Sequence, residues 1–152
     1  MVKTLIKNAK VISMDSTIGV LDSGDILFDG DEILEVAQEI AADDADLIDA
    51  SRMIVMPGLV DAHIHTWQAG IRGIAGDWTM GQYLRGMHAN LATGFQPEDI
   101  YLGNLAGGLT QLNGGVTTLF DWCHNNPTPD HTDSAIDGLF ESGIRAIFGH
   151  GS

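Results

Sequence analysis

In the stretch PGLVDAHIHT, Pro57 to Thr66, two histidines stand one residue apart at the end of an apolar run. Read as a β-strand, positions i and i+2 project from one face, so His63 and His65 are side by side with Asp61 and Leu59 behind them. Val60, Ala62 and Ile64 form the opposite face. Two neutral imidazoles on one strand suit a divalent cation: zinc binds histidine nitrogen at about 2.0–2.1 Å, and a catalytic zinc has three protein ligands and one open position for water. Water in such a site loses a proton near neutral pH and becomes a nucleophile. The plainer reading of the pair is two polar residues at a strand end. The division into faces fits a strand whose apolar side packs on helices while its polar side lines a confined interior, as in parallel α/β folds.

Other residues that can do chemistry follow the pair or lie at later strand ends. Trp67 and Gln68 offer an aromatic face beside an amide, which suits stacking and hydrogen bonding to a flat nitrogen heterocycle; Trp67 has packing as its alternative. Asp121 and Trp122 end a second strand, where a substrate contact and loop anchoring are equally open. His124 and His150 stand where the loops of a parallel barrel emerge, in contact with substrate or as loop residues. His88 falls on a helical stripe with Leu84 and Leu91 and reads as a packing or surface residue, and His131 as an exposed turn residue. Asp61 either steadies a ligand imidazole or packs inward. Cys123 has no base fixed near it by sequence and is not read as a nucleophile.

The elements that must position these residues divide near Pro57. Residues 3–54 hold short β-like runs, TLIKNAKVISM, GDILFDG, EILEVA and LIDASRMIVM, separated by Gly, Asp and Ser turns. After Leu59 the rhythm changes. Met80, Tyr83, Leu84, Met87 and Leu91 repeat at helical period, and so do Tyr101, Leu105, Leu109 and Leu112. The second helix has Pro97 in its first turn, Glu98 and Asp99 at its positive end and Gly114–Gly115 as a stop. VTTLFDW reads as a buried strand, residues 132–142 as a helix ended by Gly143, and IRAIFGH as a third strand. Strand, helices, strand, helix, strand is the wiring of a parallel sheet with right-handed crossovers.

Composition narrows the functions open to the chain. It has 152 residues, 44% hydrophobic, with a mean hydropathy of +0.07, as expected of a globular protein. Seven basic residues against 21 acidic ones give a net charge of −14, which repels nucleic acid and anionic membrane surfaces. The single cysteine excludes an internal disulfide framework. The segment MVKTLIKNAK lacks an apolar signal core, so the expected location is the cytoplasm. A serine-hydrolase elbow, a phosphate loop, a dinucleotide fingerprint and the paired-cysteine deaminase signature are all missing.

MPGLVDAHIHTWQAGIRG, preceded by IKNAKVISMD and followed by GGVTTLFDWCHNN, resembles the opening of an amidohydrolase-superfamily enzyme. The resemblance is to the branch with cytosine deaminase and the triazine and other heterocycle aminohydrolases and chlorohydrolases, and it runs over essentially the whole chain. It implies an α/β fold: the first part of a metal-dependent (β/α)8 barrel of the TIM type in residues 57–152, with about three strands present, after a small β-sandwich segment in residues 1–56. It also implies that His63 and His65 are metal ligands, for zinc or alternatively iron. Gln68, Trp67, His150 and Asp121 are then the candidate substrate-binding residues. Two further histidines and an aspartate that handles protons belong to later strands, beyond Ser152, so no catalytic acid or base is assigned within the chain.

The expected activity is hydrolysis of a carbon–nitrogen bond other than a peptide bond, with deamination of an amino-substituted nitrogen heterocycle foremost. The expected partners are a small-molecule substrate and, at full length, further copies of the same chain. A (β/α)8 barrel needs about 250 residues, so the chain reads as a truncated barrel. The alternative function is that of a non-catalytic module that folds only with a complementary chain.

Overall fold

The computed structural model describes residues 2–151, which fall into two units divided between Pro57 and Gly58. The first unit is a five-stranded sheet built from β1 (Thr4–Ile12), β2 (Val20–Asp29), β3 (Glu32–Ala37), β4 (Asp46–Asp49) and β5 (Ile54–Val55). The order is β3-β2-β1-β4, with β5 also beside β1; β1 runs antiparallel to β2 and parallel to β4 and β5. Leu5, Ala9, Val11, Ile26 and Leu27 supply its buried apolar side chains. Between Ile6 and Ala9 strand β1 advances three residues while β2 advances two, so one β1 residue is extra. Asn8 takes up the excess at φ 64°, and its freed N–H donates to Asp25 Oδ1 at 2.9 Å.

The second unit has the strand and helix order that the sequence pattern predicts. Strands β6 (Leu59–Ile64), β7 (Val116–Cys123) and β8 (Arg145–His150) form a parallel sheet in the order β6-β7-β8. Between them run α2 (Pro97–Asn113) and α3 (Pro129–Ser142), and between β6 and α2 lie a single-turn helical segment, Thr66–Ile71, and the short helix α1 (Met80–Tyr83). Pro97, Glu98 and Asp99 do open α2, and Gly114 ends it. Helix α3 starts at Pro129, three residues before the start expected from sequence, because proline fits the first helical turn. His131 is therefore not an exposed turn residue: it is buried in that first turn, held by Thr128 Oγ1 at 2.7 Å and Phe95 O at 3.1 Å. No helix among the described residues is long and apolar enough to cross a membrane.

Close approach of α2 to its neighbours rests on small residues. A Cβ at Gly103 would fall 2.4 Å from the Trp67 carbonyl oxygen, and one at Gly107 2.4 Å from the Thr66 methyl. This contact brings the segment that follows the histidine pair against the helix and buries Thr66 and Trp67.

Two expectations about faces and periods are corrected. The stripe Met80–Leu91 is not one continuous helix: after Tyr83 the hydrogen bonding widens, with Ala89 N–H donating to Leu84 O, five residues back. Met80 and Leu84 are exposed in consequence, while Met87 is buried. In β6 the strict alternation also fails. Between Asp61 and Ile64 the strand advances three residues while β7 advances two. Ile64 packs with Leu119, Leu139 and Ile144 under the helices, as expected, but Val60 lies beside Thr118 and is 68% exposed. Asp61, paired with Leu119, is partly buried and does not stand behind His63.

Candidate metal centre

The extra residue in β6 sets the geometry of the histidine pair. It leaves the His63 N–H without a ladder partner, and Asp61 Oδ1 accepts that N–H at 3.1 Å. The His63 and His65 rings then meet edge to face with centroids 4.9 Å apart. His65 Nδ1 lies 2.7 Å from the Trp122 carbonyl oxygen, which accepts only, so Nδ1 carries the proton. In the neutral imidazole Nε2 is then the nitrogen with a free lone pair. A backbone carbonyl that fixes the tautomer of an imidazole is the usual support of a metal-ligating histidine.

A second hydrogen bond ties the same stretch to β7. Thr66 N–H donates to Asp121 Oδ1 at 2.9 Å, and Asn104 Nδ2 donates to Asp121 Oδ2 at 3.2 Å and to Ala135 O at 2.9 Å. Asp121 is fully buried. Burial pushes its carboxyl above the usual aspartate range, against the opposing effect of those donors. The structure thus places Asp121 beneath the helices, holding the backbone next to His65 and not lining the cavity that His63 and His65 share.

Four imidazoles gather around the strand ends. His124 lies 4.1 Å from His65 and 4.4 Å from His88, centroid to centroid, and the Trp67 ring meets His124 edge to face at 5.6 Å. Burial, then the neighbouring His65 and His88, push His124 down to about 4, so it is neutral near pH 7. His88 is lowered by burial and by His65. Trp67 Nε1, His124 Nδ1, Thr66 Oγ1 and Asn104 Oδ1 are buried without a hydrogen-bond partner among the described residues. Nothing in the sequence marks His88 or Tyr83 for this site, because an ideal helical period sets them on an ordinary packing stripe. Among the described residues no three His, Cys, Asp or Glu side chains are grouped closely enough to hold a metal by themselves.

His63, His65, Gln68, Tyr83 and Met87 line an open cavity of about 600 Å³, with Arg72 and Gln111 further along its wall. Of the residues expected from sequence, the structure therefore brings together His63, His65 and Gln68. Trp67 is fully buried, packed on Phe95 and Met87 beneath the loop, and does not face this cavity. His150 pairs in register with Cys123 and lines a separate depression with Thr132 and Asp133 at the start of α3. Cys123 is buried, its thiol within 3.1 Å of Asn126 Oδ1, and burial followed by the nearby Asp121 pushes it up to about 12.

Comparison with known proteins adds the following. Residues 54–152 match the model of the amidohydrolase family. The chain is 31% identical over 151 residues to a 5'-deoxyadenosine deaminase of Methanosarcina barkeri, an alignment covering 99% of this chain and 34% of that protein. It is 31% identical to a 5-methylthioadenosine/S-adenosylhomocysteine deaminase of Pyrococcus furiosus, with 97% and 33% covered. A crystal structure of an atrazine chlorohydrolase variant from Arthrobacter aurescens, complexed with zinc and atraton, superposes with a TM-score of 0.88 at 29% identity, covering 97% of this chain and 35% of that one. A guanine deaminase from C. acetobutylicum shares the fold at 20% identity and a TM-score of 0.77. The chain thus spans about a third of the length of the curated relatives it matches, and its fold is that of the corresponding part of amidohydrolase barrel enzymes.

Proposed function

The chain belongs to the amidohydrolase family, and from that premise we propose that the intact protein is a metal-dependent hydrolase that deaminates an amino-substituted nitrogen heterocycle. The observation that carries this reading is the His65 Nδ1 hydrogen bond to Trp122 O, which in the neutral ring presents Nε2 as the free lone-pair donor beside His63 at the cavity edge. His63 and His65 fit a divalent ion by donor chemistry: both are accessible imidazoles, and one has its tautomer fixed from behind. Zinc is the ion proposed, with iron as the alternative; when bound it supplies Lewis acidity and makes hydroxide available near neutral pH.

The chain's own residues contribute position. Asp61 holds the His63 backbone, Asp121 holds the backbone after His65, and the Trp122 carbonyl holds the His65 ring. Gln68 offers its amide to a ring substrate in the cavity shared with the pair. The chain's net charge of −14 disfavours nucleic acid and anionic membrane surfaces; a small-molecule substrate, a cytoplasmic location and self-association of the intact protein complete the reading. A coupled ammonia assay on the intact protein over amino-substituted purines, pyrimidines, pterins and triazines tests the reading. Release of ammonia from at least one ring supports it. No release from any ring, together with cleavage of a linear amide or cyclic imide, overturns it.

A second reading, a module that functions only with a complementary chain, draws on the exposed apolar residues Leu59, Val60 and Ile147 of the second unit. Size-exclusion chromatography with a thermal melt of residues 1–152 separates the two. Association or a broad melt favours the second reading for this chain, and a sharp transition from a monomer removes it.

A further inference from the structure

Gln68 belongs to a directed chain of hydrogen bonds that starts in the cavity and ends away from it. Its Nε2 donates to Tyr83 Oη at 2.7 Å, and Tyr83 Oη lies 3.2 Å from His88 Nε2. A tyrosine hydroxyl has one proton to give. With Gln68 Nε2 donating to the hydroxyl oxygen, that proton is available to His88 Nε2 in the neutral tautomer that is unprotonated there. The neutral state required of His88 agrees with its half-buried position beside His124. The direction of the chain leaves the Gln68 oxygen, Oε1, as the uncommitted end of the amide, in a cavity wall that also holds His63 and His65.

We infer that Tyr83 and His88 are positioning residues that hold the Gln68 amide with its acceptor toward the cavity, so that the site selects a ring bearing an N–H donor. The inference rests on the heterocycle reading given above and sharpens it. Rings with an amino group or a protonated ring nitrogen match the acceptor, whereas a ring whose amino groups are fully alkylated leaves a desolvated oxygen unpaired. The sequence carried no sign of this arrangement. Tyr83 and His88 are five residues apart, and only the widened turn after Tyr83 brings the hydroxyl and the ring nitrogen together.

The test is equilibrium binding to the intact, metal-loaded protein of adenine, guanine and melamine, each against the analogue in which every N–H, exocyclic and ring, is replaced by N–methyl. The parent protein is expected to favour the N–H-bearing partner of at least one pair by about tenfold or more. Tyr83→Phe should bring that ratio to within about twofold while metal content is unchanged. Gln68→Glu should keep the preference, because a carboxylate also presents an acceptor. A preference unaltered in Tyr83→Phe, or abolished in Gln68→Glu with metal content intact, overturns the inference alone. Failure of every ring to bind overturns the heterocycle reading and this inference with it.

Discussion

Strand β1 in the first unit and strand β6 in the second each advance, over one stretch, one residue more than the strand beside them, and in each an aspartate accepts an N–H of that stretch. In the first unit the arrangement is closed. Asp25 is buried and receives N–H groups from Asn8 and Ile40 at 2.9 and 3.0 Å, with Lys7 Nζ 3.5 Å away. Burial acts to raise its carboxyl, but those donors and the lysine outweigh it and hold the group below the usual aspartate range. In the second unit the irregularity turns outward: Asp61 is only partly buried, and the residue it fixes is an exposed histidine. Every buried polar side-chain atom without a partner among the described residues also belongs to the second unit. The same backbone device serves stability where its polar groups are all paired, and a site where some are left to meet a ligand.

The comparison can be broken first at Asp25. Asp25→Ala leaves the buried Ile40 N–H and the part-buried Asn8 N–H unpaired, and a loss of about 2–4 kcal/mol is expected in chemical denaturation of the first unit. Next, Gly103→Ala forces a Cβ against the Trp67 carbonyl and should cost about 1–3 kcal/mol in the second unit, with loss of near-UV signal from Trp67. A silent Gly103→Ala would mean that α2 does not press on the segment after His65. Asp61→Ala is expected to cost only about 0.5–1.5 kcal/mol, yet to weaken metal binding about tenfold, whereas Asp61→Asn, which keeps an acceptor, should do neither.

The smallest effect is expected at Cys123. With its thiol pushed up to about 12 from an ordinary 9.0, native protein at pH 8.5 should resist iodoacetamide and react only after unfolding. The sign follows from linkage: between pH 9 and 12 the unfolded chain releases this proton and the native one keeps it, so the residue lowers stability as pH rises through that window. Rapid alkylation of folded protein would contradict the burial.

Much of the architecture was legible because its signals are local. The Gly-, Asp- and Ser-bounded runs marked the strands, the Pro97–Asp99 opening and Gly114 stop marked α2, and Pro57 marked the change of rhythm. The histidine pair was legible for the same reason, since its spacing lies within one strand. What escaped depends on contacts across the chain. The two register shifts between β6 and β7, at Leu59/Val60 and at Asp61/Ile64, exist only in the pairing of the strands, so Val60 and Asp61 were assigned to the wrong faces. Trp67 and Gln68 are adjacent in sequence, yet the pressure of α2 buries one and leaves the other in the cavity. The widened turn that joins Tyr83 to His88 has no local signature, and an ideal helical period conceals it.

The central claim is that His63 and His65 hold a divalent metal, and direct metal analysis of the purified intact protein tests it. The parent protein and His150→Asn, whose ring lies by the start of α3, should carry the same amount of zinc or iron. His63→Asn and His65→Asn should each bind at least about 100-fold more weakly, since removing a ligand costs no less than disturbing its support. Undiminished metal in both strand variants, with folding intact, would contradict the account.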